Sequence, residues 1–334
     1  MAHAFETLTP DVVLDALEGV GLRGDGRLTA LSSYENRVYQ VQLEDGSAVV
    51  AKFYRPERWS DAQILEEHAF AAELMAFEVP AIGPLVLGGQ TLHHFGGFAF
   101  SVSPRRGGRA PELDDGEVLE WIGRFLARIH TVGARQDFVH RPTLDLENFA
   151  IEPMQWLLAH DMVPLDVQSA WTRGVEAAIA AMSKYSTLSA APKGQASGTP
   201  GIRLLRLHGD CHPGNLLWRE GQIQFVDFDD CATGPALQDL WMLLSGDRES
   251  MRRQLSDLLE GYSVFRAFEP RELVLIEALR SLRLLHYHAW IARRWTDPAF
   301  PAAFPWFEER AHWDRLLNQL REQLDLLEGP PLRL

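Results

Sequence analysis

Within eight positions of the stretch RLHGDCHPGNLLW, residues 206–218, stand His208, Asp210, Cys211, His212 and Asn215. Such a set suits three chemistries: a metal cage, a nucleophile site, or a loop that moves a phosphoryl group. For a cage, His208, Asp210 and His212 alternate, so an extended backbone turns all three to one side. Zinc wants a further ligand in defined geometry, and no second His/Cys cluster stands at zinc spacing. The surrounding residues favour the phosphoryl reading.

Asn215 stands five positions after Asp210, and Asp227 twelve after Asn215, inside the apolar run IQFVDFDD. An aspartate, an asparagine five on and a later aspartate at a strand end form the layout of kinase catalytic centres. One carboxylate, here Asp210, must orient the attacking hydroxyl and accept its proton. A carboxylate and an amide oxygen, here Asp227 and Asn215, suit Mg²⁺, a hard ion that takes oxygen ligands and also binds phosphates. Asp227 is thus both a catalytic and a metal-binding candidate. The phosphates need a cation as well, and AVVAKFY supplies Lys52 among apolar neighbours. Its anionic partner belongs on the helix that follows, where Glu66, Glu67 and Glu73 compete; Glu67, fifteen residues on, is preferred. A lone lysine or glutamate is most often solvated surface. The ordered set Lys52, Glu67, Asp210, Asn215, Asp227 is much harder to ascribe to chance.

These residues need elements to hold them. Thr9-Pro10-Asp11 opens a capped helix that ends at Gly19–Gly21. Three antiparallel strands are expected over 28–53, the last two joined at Asp45-Gly46, a strong hairpin signal. A helix follows from Asp61 to about Phe77 with Ser60 as N-cap, then strands at Leu85–Leu92 and Gly97–Ser103. Beyond Pro104 the pattern turns helical: GEVLEWIGRFLARIHTVG, Met154–Met182, Leu237–Leu244, Arg248–Phe265, Pro270–Trp295 and Glu308–Leu327. Residues 186–201, small, polar and Gly/Pro-rich, read as a mobile surface loop. The expected architecture is α+β and bilobal. An N-terminal antiparallel sheet lobe with one inserted helix, 1–104, binds nucleotide. A mainly α-helical lobe, 105–334, carries catalysis and acceptor binding.

At 334 residues the chain is long enough for two lobes. A formal net charge of −14 argues against nonspecific binding to nucleic acid or anionic membranes, both of which require a basic footprint. No apolar run approaches a membrane span, the N-terminus lacks signal-peptide character, and two cysteines make no disulfide scaffold. A cytoplasmic, monomeric protein is expected.

HGDCHPGN followed by VDFDD resembles the aminoglycoside phosphotransferase and choline kinase-like superfamily, whose fold is that of protein kinases. SYENRVYQV, VVAKFYRPERWSDAQILEEH, VDFDDCATGPALQDLWMLL and RRWTDPAFPAAFPWF extend the likeness to the stress response kinase A family within it, over about residues 5 to 332. The resemblance implies a bacterial serine/threonine protein kinase, a phosphotransferase with an alcohol group as acceptor. It implies ATP and Mg²⁺ as cofactors and protein serine or threonine as acceptor, autophosphorylation included. By position it makes Asp210 the base, Asn215 and Asp227 the metal ligands, Lys52 the α/β-phosphate cation and Glu67 its support. It also places Ser33 in an ATP-contacting loop. The glycine-rich loop of protein kinases is replaced by SSYENR, and no DFG, APE or activation loop is recognisable, so control by activation-loop phosphorylation is not expected.

Two rival readings stand beside this one. A small-molecule kinase acting on choline, homoserine or an aminoglycoside would use the same machinery. A kinase-shaped binding module would have lost the lysine, the base or the metal ligands. Asp239 is expected to brace the Asp210 loop by hydrogen bonds, and His208 to anchor it. His212 is expected to be structural more than chemical. Cys211 and Cys231 flank the two motifs and raise the idea of a redox pair, against the plainer reading of two small buried hydrophobes.

Overall fold

The computed structural model describes residues 4–189 and 202–334, so 190–201 of the loop expected over 186–201 lie outside the described residues. In chain order the elements begin with α1 (Pro10–Gly19), β1 (Gly24–Ala30), β2 (Arg37–Leu43), β3 (Ala48–Phe53), α2 (Asp61–Ala76), β4 (His93–Phe95) and β5 (Phe98–Pro104). Helices α3 (Gly116–Gly133), α4 (Glu152–Ala159) and α5 (Leu165–Met182) follow. Short strands β6 (Leu205–Leu207), β7 (Leu216–Arg219), β8 (Gln222–Phe225) and β9 (Ala232–Gly234) come next. The chain closes with α6 (Leu237–Trp241), α7 (Arg248–Tyr262), α8 (Ile276–Arg293), α9 (Ala299–Ala303) and α10 (Arg310–Glu328).

The chain forms two compact units. The first comprises Met1–Pro111, Val139–Arg141 and Pro213–Asp230, and the second comprises Glu112–Phe138, Pro142–His212 and Cys231–Leu334. In the first, an antiparallel sheet has the order β1-β2-β3-β5-β4. Alternation along β3 turns Val49, Ala51 and Phe53 into a core shared with Val13 and Leu17 of α1, so Lys52 must point to the opposite face. Phe53 stacks on Phe100 of β5 at 5.2 Å between ring centroids. On α2 the buried positions Ile64, Glu67, His68, Ala71 and Leu74 recur at helical spacing, so Glu67 lies on the packed face. Ser60 starts this helix with a capping box: Gln63 N–H donates to Ser60 Oγ, and Ser60 N–H donates to Gln63 Oε1.

The strand expected at Leu85–Leu92 does not form. Gly88 and Gly89 take φ of +57° and +83°, a left-handed pair that turns the chain back, and the strand beside β5 is instead His93–Phe95. Strands β7 and β8 form a hairpin through the two-residue turn Glu220-Gly221, docked on residues 80–82 by backbone bonds to Phe225. This hairpin and the β6–β9 pair break the helical expectation beyond residue 104.

In the second unit α3 begins at Asp115, whose carboxylate accepts from Glu117 N–H, and packs on α7. A Cβ at Gly123 or Gly261 would stand 1.9 Å from a carbonyl oxygen of the facing helix. Met154–Met182 is two helices: Asp161, at φ +54°, and Pro164 break it. Among the described residues no helix is long and apolar enough to cross a membrane.

Candidate active site

In the first unit, the hairpin explains the twelve-residue gap between Asn215 and Asp227. Leu216 pairs with Phe225, and one step outward Val226 N–H donates to the Asn215 carbonyl at 3.0 Å, so Asn215 and Asp227 leave the hairpin at the same end. Asp227 has φ +60°, a left-handed conformation that a short polar side chain tolerates better than most. It ends the strand and turns the chain into Phe228–Asp230.

Lys52 stands amid three carboxylates. Its Nζ lies 3.0 Å from Asp227 Oδ1, 3.0 Å from Asp229 Oδ1 and 3.6 Å from Glu67 Oε1. Burial works against the ammonium, yet Asp227, Asp229 and Glu67 together hold its pKa well above the ordinary lysine value. Burial pushes the Glu67 carboxyl up to about 7 against the pull of Lys52. Burial also opposes the Asp229 charge, but Lys52, Arg58 and Arg141 hold that carboxyl well below the usual range. Asp229, not Glu67, is therefore the firmer ionic partner of Lys52. Exposure separates the three acids: the Asp227 side chain is 49% exposed, Glu67 9% and Asp229 4%. Only Asp227 is open enough to serve a second cation.

A shell of cations and amides surrounds Asp229. Arg58 pairs with it, reaches Asp230 Oδ1 at 2.5 Å, and stacks on the Trp59 ring, against which Arg141 also lies at 4.1 Å. Asn36 Nδ2 donates to Asp229 Oδ2 at 3.2 Å, and its Oδ1 accepts from Arg55 N–H. Asn36 and Glu35, which pairs with Arg55 at 3.0 Å, belong to the same β1–β2 loop as half-buried Ser33. Glu66, the neighbour of Glu67, instead accepts three backbone N–H bonds from Val139, His140 and Arg141 at 2.6–2.8 Å. Beside Lys52, Tyr54 bonds His68 Nε2 at 2.7 Å and Ser101 Oγ at 3.0 Å.

The second unit holds Asp210. Buried Asp239 braces its loop by accepting from His208 N–H and Gly209 N–H, both at 2.9 Å, while Gln238 Nε2 donates to the Gly209 carbonyl. His130 steadies Asp239 in turn, with Nε2 at 3.1 Å from its Oδ2 and Nδ1 at 2.9 Å from the Tyr262 hydroxyl. Asp210 Oδ1 accepts from Arg283 Nη1 at 2.5 Å, and its Oδ2 lies 3.4 Å from His212 Nε2. Burial disfavours its charge, but the His212 hydrogen bond and the Arg283 guanidinium hold the carboxyl well below the usual range. Cys211 and Cys231 are buried and form no disulfide; burial pushes the Cys211 thiol well up.

The structure thus gathers Lys52, Glu67 and Asp227, places Asn215 at the shared hairpin end, and sets Asp210 in its own braced loop. Sequence reasoning assigned no role to Arg58, Asn36 or Arg283 and did not pair Asp229 with Lys52, because none of these contacts is local.

A sheet with a half-buried strand lysine, a paired helix glutamate and a hairpin-borne Asn/Asp pair defines a kinase-like phosphotransferase, and the chain belongs to the phosphotransferase enzyme family, whose family model matches residues 27–274. Stress response kinase A of Escherichia coli (strain K12) is 46% identical over 333 residues, covering 100% of this chain and 98% of its own. Serine/threonine protein kinase RdoA of Salmonella typhimurium (strain LT2) is 44% identical with the same coverage. Among solved structures, the amicoumacin kinase hAmiN in complex with AMP-PNP, Ca²⁺ and Ami shares the fold. Its TM-score is 0.72, with 19% identity and 96% and 94% of the two chains covered.

Proposed function

We propose that this protein is a stress-response serine/threonine protein kinase that moves the γ-phosphoryl group of ATP to a protein hydroxyl. The observation that carries the reading is the half-buried Lys52 held by Glu67 and Asp229 with half-open Asp227 beside it. Relatives named stress response kinase A and serine/threonine protein kinase RdoA support the acceptor class.

Lys52 holds the α- and β-phosphates, and Glu67 and Asp229 keep its ammonium charged and aimed. Ser33, in the β1–β2 loop, offers a hydroxyl to the phosphates. Asn215 and Asp227 hold Mg²⁺, and both present oxygen, the donor this ion requires. An ion held by these two residues would neutralise phosphate charge. Asp210, kept ionised in its loop, orients the acceptor hydroxyl. As the acceptor oxygen bonds to the γ-phosphorus and the bond to the β-phosphate oxygen breaks, Asp210 receives the hydroxyl proton and ADP leaves. Nucleotide recognition falls to the N-terminal lobe, 1–104, and acceptor recognition to the helical lobe, 105–334.

The test is labelled ATP and Mg²⁺ with the wild type and Asp210→Asn, offered generic protein substrates and, separately, amino alcohols. Label on protein serine or threonine, with transfer lowered by at least ~10²–10⁴-fold in the variant while ATP still binds, supports the reading. Label only on amino alcohols replaces the acceptor class, and full activity in Asp210→Asn removes Asp210 as the base.

A further inference from the structure

Asp210 is not open to its acceptor on every side. Arg283, on α8, occupies one carboxylate oxygen at 2.5 Å, and His212 lies 3.4 Å from the other. The Arg283 guanidinium carries five N–H donors in a fixed fork. It touches Asp210 through Nη1 and lies 3.8 Å from Met242 Sδ. Its Nε and Nη2 meet no other protein acceptor among the described residues, and the side chain is 43% exposed.

Arg280, one turn earlier on α8, shows the contrast. Its Nη1 is taken up by Glu277 at 3.0 Å and its guanidinium lies over the Trp241 ring at 5.6 Å. Arg280 is neutralised within its own helix, whereas Arg283 keeps unused donors beside the base. The chain as a whole carries a net charge of −14, a field that draws cations. Arg283 reverses that sign locally, next to the group that binds the attacking hydroxyl. An ammonium group close to the hydroxyl would meet a fixed guanidinium there. A carboxylate or phosphate would meet a planar donor fork that matches its geometry.

We infer that Arg283 is a specificity-determining residue that selects acceptors bearing an anionic group, a carboxylate or a phosphate, next to the attacking hydroxyl. The inference rests on the phosphotransferase reading of Asp210 and adds the charge of its substrate. In a protein this describes a serine or threonine flanked by acidic or already phosphorylated residues. In a small molecule it describes a hydroxy acid and excludes amino alcohols.

The experiment compares kcat/KM for three serine peptides that differ only in Glu, Gln or Lys flanks, with glycerate against ethanolamine as a small-molecule arm. The wild type should prefer the Glu peptide over the Lys peptide by about tenfold or more, the size expected of a close, partly exposed charge pair. Arg283→Gln should flatten the order and Arg283→Glu should reverse it, while Arg283→Lys retains the acidic preference in weakened form. ATP affinity, measured separately, reports whether each variant is folded. A wild type indifferent to flanking charge, or an acidic preference that survives in Arg283→Glu, overturns the inference. Should no peptide be labelled but glycerate be preferred to ethanolamine, the protein-acceptor reading fails and this inference stands. Preference for ethanolamine overturns it.

Discussion

Replacing Arg58 by Met tests the charge balance around Lys52. The Arg58 side chain is 11% exposed and Asp229 4%, so both charges have left water and depend on each other. Removing one partner of a buried pair costs about 3–5 kcal/mol, chiefly by stranding the other charge. Asp229 keeps Lys52 at 3.0 Å and Asn36 at 3.2 Å, which places Arg58→Met near the low end, about 3 kcal/mol. At roughly 2–4 °C per kcal/mol, the melting temperature should fall by roughly 6–12 °C. Lys52 then becomes the nearest cation to Asp229 and is less available to phosphates, so the Kd for ATP should rise. Adding Asp229→Asn removes the stranded carboxylate, and the double variant should recover about 2 kcal/mol relative to the sum of the singles. Urea unfolding of all four proteins, with ATP titrations, measures this cycle. Additivity within ~0.5 kcal/mol would refute the coupling and with it the view that Arg58 sustains the Lys52 site.

Three further outcomes follow from the structure. His288 and His312 are buried and stacked at 5.2 Å, and burial lowers the pKa of each to about 4. The unfolded chain binds their protons first, so stability is complete above about pH 6.5 and falls toward pH 4, by about 3 kcal/mol for one site. Urea midpoints should show a shallower pH slope in His288→Phe. Gly123→Ala drives a methyl to 1.9 Å from the Leu258 carbonyl oxygen and should cost at least about 3 kcal/mol, seen as early thermal unfolding; a neutral effect would contradict the α3–α7 packing. Cys211 is fully buried with its thiol pKa pushed up, so iodoacetamide should label it only after denaturant is added; rapid labelling of the native protein would contradict that burial.

Much of this protein was written locally. Lys52 could be placed because β-rich residues and the Asp45-Gly46 turn define β3, and strand alternation does the rest. The start of α2 was visible in Ser60, which caps it through a contact with Gln63 three residues on. The twelve-residue spacing of Asn215 and Asp227 was legible as a motif, although the hairpin that produces it was not anticipated. Leu85–Leu92 misled because its apolar residues suit a strand while the Gly88-Gly89 pair dictates a turn.

What remained hidden were partners with no local signature. Glu67 was chosen for Lys52 from the helix that follows it, but Asp229 is nearer, and only packing brings it there. Arg58 and Asp229 are 171 positions apart, and Arg283 and Asp210 are 73. Spacing, capping and alternation report on residues within a few turns or strands of each other. The sequence by itself determined which groups are candidates for phosphoryl transfer and the strand and helix that carry Lys52 and Glu67. Tertiary structure decided their ionic partners, and hence which carboxylates stay charged, because desolvation and charge pairing exist only once distant segments are packed together.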